Sequence, residues 1–321
     1  MQFMADVPPH PVSPATGPLL QSLIARIKLY DVPPRFDQPE LIDDETQPYA
    51  DFRASMTDVQ RANRFLGGTR VVTRQMQRWF ESGRHQKKTR KKTRKKTNTN
   101  AAQEYRGHNR SVLPTVKPGV PSVGSAAVRP LRCPLTILDI ATGSGDLPTA
   151  ISGLAQRERV AVQIIGLDFS KPILRFAREE VGGSEDIRLL RGDAFRLPFA
   201  DGSFDYVLCS LAFHHFDFEE CITVLREMER VSRRGWLVND VRRAWSAWWL
   251  IRIITRLIGA NRLTRHDAPA SVRRAYSLAE FAAMPAALGL SVGDRTNRAV
   301  LLRRSLFYRM ALIRDKNPGN N

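Results

Sequence analysis

From residue 133 to residue 316 the sequence predicts an α/β domain, doubly wound on a mostly parallel sheet, preceded by N-terminal helices and a disordered basic insert. Three observations carry that expectation. Short apolar runs alternate with helical segments, in the order TILDI, PTAISGLAQR, VAVQIIGLD, KPILRFAREE, IRLLRGD, FDYVLCS, CITVLREMERV and GWLVND. That rhythm belongs to parallel strands joined by crossover helices. A glycine-rich turn follows the first run, and four successive runs end in acidic, glycine or polar residues.

Upstream, residues 1–17 are proline-rich and read as a disordered tail, and residues 18–80 as an N-terminal helical segment. Leu19 to Tyr30 has apolar residues at helical spacing. Thr57 to Phe80 sets Val59, Phe65, Val72, Met76 and Phe80 near one stripe, split into two helices at Gly67 and Gly68. Residues 81–132 are polar, basic and punctuated by Pro, Gly and Ser. They cannot bury enough apolar surface to offset chain entropy, and so read as a low-complexity linker or insert.

Of the net charge of +18 on 321 residues, this stretch holds +12, with fourteen Lys or Arg against two Glu. The basic character is therefore local. A run such as Lys87 to Lys96 is ordinarily solvated, so nucleic-acid contact through 87–96 is the lesser expectation. A hydrophobic share of 42% fits a globular protein. Cys133, Cys209 and Cys221 form no CxxC, and the six histidines no HxxxH or HExxH, so neither a disulfide framework nor a metal site is expected. The N-terminus lacks a basic region followed by an apolar core, and no apolar run reaches about 18 residues. A cytoplasmic protein is the expectation.

The strand Thr136 to Ile140 runs into Ala141, Thr142, Gly143, Ser144, Gly145 and Asp146, with Pro148 in the first turn of the next helix. Glycines let the backbone turn tightly and approach a ligand, and the helix start offers unpaired N–H groups. Alone, such a turn is equally a plain strand-to-helix connection. The second strand, Val162 to Leu167, ends in Asp168, where a carboxylate accepts bonds from ribose hydroxyls. Ser170 and Pro172 then open a helix as cap and first-turn proline. The third strand ends in Gly192, Asp193 and Ala194. The fourth ends in Cys209, Ser210, Leu211, Ala212, Phe213, His214 and His215. Ligands of open α/β sheets bind outside the carboxyl ends of the strands, so these loops converge on one crevice.

The pieces ILDIATGSGDLP (137–148), IIGLDFSKPIL (164–174), LLRGDAFRLPFADGSFDYVLCSLAFHHF (189–216) and LREMERVSRRGWLVND (225–240) resemble a class I methyltransferase with a Rossmann-like fold. They are most similar to the ubiquinone and menaquinone biosynthesis group. The resemblance implies S-adenosyl-L-methionine as cofactor. It implies Asp139, Ala141, Gly143 and Gly145 at its methionine and ribose portion and Asp168 at the ribose hydroxyls. Phe169, Asp193 and Ala194 would meet the adenine, and Cys209, Ser210 and Leu211 would line the approach to the sulfonium. Ala141 departs from the family's first glycine, and the glycine turn before the fifth strand shrinks to Arg233, Arg234 and Gly235. DVQRANRFLGG with ELIDDE upstream, and the later NRLTRHDAP, also resemble a bacterial branch tied to lipid or polyketide pathways.

The acceptor is expected to be small and lipophilic: phenolic, quinone-like, or polyketide- or lipid-derived. If its proton must be removed, His214 or His215 is placed for it, with His266 and Asp267 as a second candidate. AWSAWWLIRIITRLIG (244–259) is too short and charged to span a bilayer, and reads as a buried helix, an acceptor wall or a peripheral membrane contact. Three alternatives stay open. One is an NAD(P)-dependent oxidoreductase, although Pro148 stands where the third glycine of that fingerprint belongs. Another is a nucleic-acid methyltransferase recruited by the basic insert. The third is a binding module without catalysis.

Overall fold

A computed structural model describes residues 32–36, 39–44, 46–84, 133–293, 299–305 and 307–316. The proline-rich tail, the helix expected over 19–30 and the run 87–96, with the rest of 85–132, lie outside the described residues.

Two helices precede the sheet, α1 (Tyr49–Phe65) and α2 (residues 68–84), and Gly67 turns between them at φ 79. The expected glycine break is present, and α2 runs four residues beyond the expected boundary at 80. Then β1 (Leu135–Ile140), α3 (Asp146–Arg157), β2 (Val162–Asp168), α4 (Lys171–Val181), β3 (Ile187–Arg191), β4 (Phe204–Ser210), α5 (Phe218–Val231) and β5 (Ser232–Val241) follow. Helices α6 (Trp245–Leu257), α7 (Arg262–Arg274) and α8 (Leu278–Ala283) lead to β6 (Ser291–Val292), β7 (Ala299–Ser305) and β8 (Arg309–Asp315).

The strand order is β3-β2-β1-β4-β5-β8-β7-β6. The five strands from β3 to β5 pair in parallel, and β8 runs antiparallel between β5 and β7. The order reverses between β1 and β4, and this is where a doubly wound sheet opens a crevice.

Local chemistry sets the boundaries. Ser170 Oγ accepts from the Ile173 N–H to start α4. Asp217 and Glu220 form a reciprocal capping box on α5, as Ser277 and Glu280 do on α8. Two expectations shift. The closing strand begins at Arg309 rather than Phe307, because Phe307 and Tyr308 form the turn before it with φ of 56 and 58. Arg233, Arg234 and Gly235 are not a turn but part of β5, and a Cβ on Gly235 would stand 2.3 Å from the Arg314 carbonyl oxygen of β8.

Strand alternation feeds two cores. Leu138, Ile140, Val207, Cys209, Trp236 and Val238 face one side, against α5 and α8. Ile137, Ile164, Tyr206, Leu208 and Leu237 face the other, against α2 and α3. Both faces are covered, which is why these strands read as continuous apolar runs. On the second face the Trp79 ring of α2 stacks on Tyr206 at 4.2 Å between centroids and 10° between planes. The N-terminal helical segment and the domain beginning at 133 therefore share one core.

Trp79→Ala is expected to cost about 3–5 kcal/mol, lowering the melting temperature by roughly 10 °C. Thermal denaturation followed by circular dichroism checks this. An unchanged midpoint would mean that α2 is not part of the folding unit.

Candidate functional site

At the switch point the chain leaves β1 through three residues that only a strained turn accommodates: Ala141 at φ 52, Gly143 at φ 56 and Gly145 at φ 74. Ala141 thus occupies a left-handed position that glycine would fill more cheaply, which is the physical reason for the glycine of the family pattern at this place. Gly145 caps α3, and a Cβ there would strike Val181 Cγ2 at 2.6 Å.

A crevice opens above this turn. Of the expected residues, it brings together Asp139, Ala141, Gly143 and Ser210, with Thr142, Ser144, Asp146 and Leu211 beside them. Its outer wall was not foreseen: Met56, Val59 and Asn63 of α1 and Thr69 of α2 complete it. Asn63 Nδ2 donates toward Asp146 Oδ2 at 3.4 Å, linking α1 to the start of α3. The apolar stripe of α1 was visible in sequence, but nothing there said which cavity it would close.

Asp139 is almost fully buried and accepts a 2.7 Å bond from Thr142 Oγ1. Desolvation, only partly opposed by that bond and reinforced by Asp146 and Asp168, pushes its carboxyl up to about 8. Asp168 ends β2. Its Oδ2 accepts from the Gly143 N–H and its Oδ1 from the Ser170 N–H, both at 3.0 Å, so it clamps the glycine turn to its own strand end. Burial raises its pKa despite these backbone donors.

Phe169 projects beyond Asp168 with 69% of its surface exposed, and the Arg191 guanidinium lies 5.2 Å from its ring centre. Asp193 is exposed, with Oδ1 accepting from the Phe195 N–H, and Ala194 packs half-buried on the core. Cys209 is a correction. Its side chain is fully buried in the core with Val207, away from the crevice, and burial drives its thiol well up. Ser210, one residue on, faces the crevice and accepts from Asn239 Nδ2 at 2.9 Å.

The histidines sit in a short 3-10 turn, Phe213–His215, just past β4 and outside that lining. Asp240 of β5 accepts from both the backbone N–H of His214 (3.0 Å) and its Nδ1 (2.8 Å). Burial alone would raise Asp240, but His214 and the surrounding N–H donors outweigh it and hold the carboxyl below its usual range. For His215, burial works downward, while the Asp43 and Glu40 carboxylates outweigh it and raise the pKa. His266 and Asp267 are used differently. Asp267 accepts from the Leu41 and Ile42 N–H groups as well as the His266 ring, and so anchors residues 40–43 to α7.

Fold and crevice together define a doubly wound α/β domain with a ligand site at its switch point. Residues 137–235 match the family model described as a methyltransferase domain. A demethylmenaquinone methyltransferase from Deinococcus radiodurans is 38% identical over 113 residues, which is 35% of this chain and 44% of the relative. One from Staphylococcus aureus is 33% identical over 108 residues, 34% of this chain and 43% of the relative. The chain thus spans less than half the length of these curated relatives. A solved SAM-dependent methyltransferase from Aquifex aeolicus is similar at 17% identity and a TM-score of 0.39, covering 56% of this chain and 80% of that one. Residues 137–235 thus form a methyltransferase domain similar to that of these relatives.

The residues present fit S-adenosyl-L-methionine as cofactor. A Cβ placed on Gly143 would meet nothing within 4 Å, so the turn leaves open room beside a buried carboxyl, Asp139, and beneath the Asp168 clamp.

Asp139 also gives a pH dependence. Its pKa rises from 3.8 to about 8 on folding, so between these values the folded protein holds a proton that the unfolded chain has released. Its contribution to stability is full below pH 4 and is lost as pH rises toward 8. Asp139→Asn is expected to flatten that decline in the ligand-free protein, seen as a melting-temperature difference from wild type that widens from pH 5 to pH 8. Parallel curves would place the Asp139 carboxyl in contact with solvent.

Proposed function

We propose that the protein transfers a methyl group from S-adenosyl-L-methionine to a small lipophilic acceptor, phenolic, quinone-like, or polyketide- or lipid-derived. The observation that carries this reading is that the matched stretch, 137–235, supplies the floor of the crevice at the β1–β4 switch point. When bound, the cofactor supplies a methyl group activated by its sulfonium. The chain's own task is then to position acceptor and donor and to exclude water.

In this reading Asp139 faces the ammonium of the methionine portion, and the Gly143–Gly145 turn lets the backbone come close. Asp168 spends its remaining lone pairs on the ribose hydroxyls. Phe169 lies on the adenine, backed by Arg191, with Asp193 and Ala194 at the ring's edge. Ser210 and Leu211 point toward the sulfonium, and the His214–His215 pair stands on the acceptor's side. The dinucleotide alternative loses its support, since the glycine turn lies inside a methyltransferase match.

Two observations support a lipophilic acceptor. The similar curated proteins are demethylmenaquinone methyltransferases. Helix α6 turns Trp249, Leu250, Ile253 and Leu257 outward, Leu257 being 80% exposed, with Arg252 and Arg256 on the same helix. No described helix is long and apolar enough to cross a membrane. An outward apolar stripe flanked by guanidinium groups suits an anionic lipid surface, from which such an acceptor would be drawn.

Calorimetric titration is expected to show micromolar binding of S-adenosylmethionine and S-adenosylhomocysteine and none of NADH. Binding should release a proton below pH 8 as Asp139 ionises against the ammonium. Asp168→Ala should weaken the affinity about tenfold or more; equal affinity would remove Asp168 from the site, and binding of NADH alone would overturn the reading.

Sedimentation with anionic phospholipid vesicles is expected to carry down the wild type but not the Ile253→Glu, Leu257→Glu double variant. Equal sedimentation of the two would rule out α6 as the lipid contact.

A further inference from the structure

We infer that Glu40, His214 and His215 form a binding site for one first-row divalent metal ion of the zinc class, open on one side to an anionic oxygen ligand. One ligating atom from each residue lies within 4.8 Å of the other two. His214 Nε2 stands 3.7 Å from Glu40 Oε1, and His215 Nε2 stands 3.9 Å from Glu40 Oε2. Both exceed the hydrogen-bond range of about 2.7–3.2 Å. They approach the separation of roughly 3.4 Å between two ligands that each sit about 2.0–2.2 Å from a tetrahedral ion. The three side chains would close by a few tenths of an ångström around the metal.

The surroundings match what such a site requires. Asp240 accepts from His214 Nδ1 at 2.8 Å, which fixes the ring and turns the Nε2 lone pair toward Glu40. A carboxylate behind a ligating histidine orients it and raises its basicity. Asp43 Oδ2 stands behind His215 Nδ1 at 3.8 Å. Glu40 is itself held, its Oε1 accepting a 2.6 Å bond from Ser271 of α7. Glu40, Asp43 and Asp240 supply three carboxylates, against the guanidinium groups of Arg274, 3.8 Å from Asp43, and of Arg309 beside Asp240. Glu40 and His214 are buried, while His215 keeps 28% of its side chain exposed, which leaves one approach to the ion.

Two imidazoles and one carboxylate with an open position suit zinc and its first-row neighbours rather than magnesium or calcium. The turn that bears the histidines begins three residues after Ser210, which lines the cofactor crevice. An ion there would hold the oxygen of a phenol or enol acceptor, whose proton leaves to water. That last part rests on the methyltransferase reading; the metal site itself does not.

Tag-free, chelator-treated protein titrated with Co²⁺ is expected to bind one equivalent, with the visible absorption of a four- or five-coordinate nitrogen and oxygen site, and Zn²⁺ should displace it. Glu40→Gln and His215→Asn should each weaken cobalt binding at least tenfold. Their S-adenosylmethionine affinity and melting temperature serve as the check that they fold. Absence of stoichiometric binding, or variants that bind as the wild type does, would overturn the site. Catechol should shift the wild-type cobalt spectrum, and an unmoved spectrum would overturn the acceptor role while leaving the metal. Failure to bind S-adenosylmethionine would count against the methyltransferase reading alone, since the cobalt titration needs no cofactor.

Discussion

A parallel sheet with two apolar faces must be covered on both, and most of this molecule follows from that requirement. One face is closed by α5 and α8, which lie within or after the run of parallel strands. The other is closed by α3 together with α2, a helix that lies before the insert in sequence. Once α2 is committed to the sheet through Trp79, α1 must follow it across the end of the strands, and there it walls the crevice. The segment before α1 is in turn drawn over α7 by Asp267, which delivers Glu40 to the histidines past β4. Chain that looks accessory to the domain therefore supplies part of two sites.

Within the crevice the carboxylates are kept apart in role by their surroundings. Asp168 is satisfied by two backbone N–H groups and holds the glycine turn in shape. Asp139 has one hydroxyl donor and two acidic neighbours, and is the group poised to change charge when a cation arrives. Two strained backbone positions lie in the same place. Ala141 and Leu211, at the ends of β1 and β4, both adopt positive φ without being glycine. Such conformations persist where the surrounding sheet over-determines them.

Strands, crossovers and caps were legible because each rests on short-range chemistry: apolar runs, a glycine turn, Ser170, and the Ser277–Glu280 pair. The direction of Cys209 was also legible in principle, since it shares the parity of Val207 on β4 and so must enter the core as Ser210 leaves it. What could not be read were pairings across long stretches of chain. Met56 reaches a turn more than 80 residues away, and Glu40 meets histidines more than 170 residues downstream. No spacing rule for metal ligands looks that far, and two adjacent histidines carry no motif by themselves. The start of β8 shifted for a smaller reason: turn conformations at Phe307 and Tyr308 are held by the hairpin they close, not by their own preferences.

The stretch 85–132 joins two pieces whose relative position is already decided by burial, α2 on one side and β1 on the other. Arg84 at the end of α2 is ion-paired with Glu158 after α3, so the stretch leaves from a fixed point and returns to one at residue 133. The same geometry means that the covalent link is not what holds the halves together: two separate polypeptides, one ending near residue 84 and the other starting near 133, carry complementary faces and have the means to reassemble as a split enzyme.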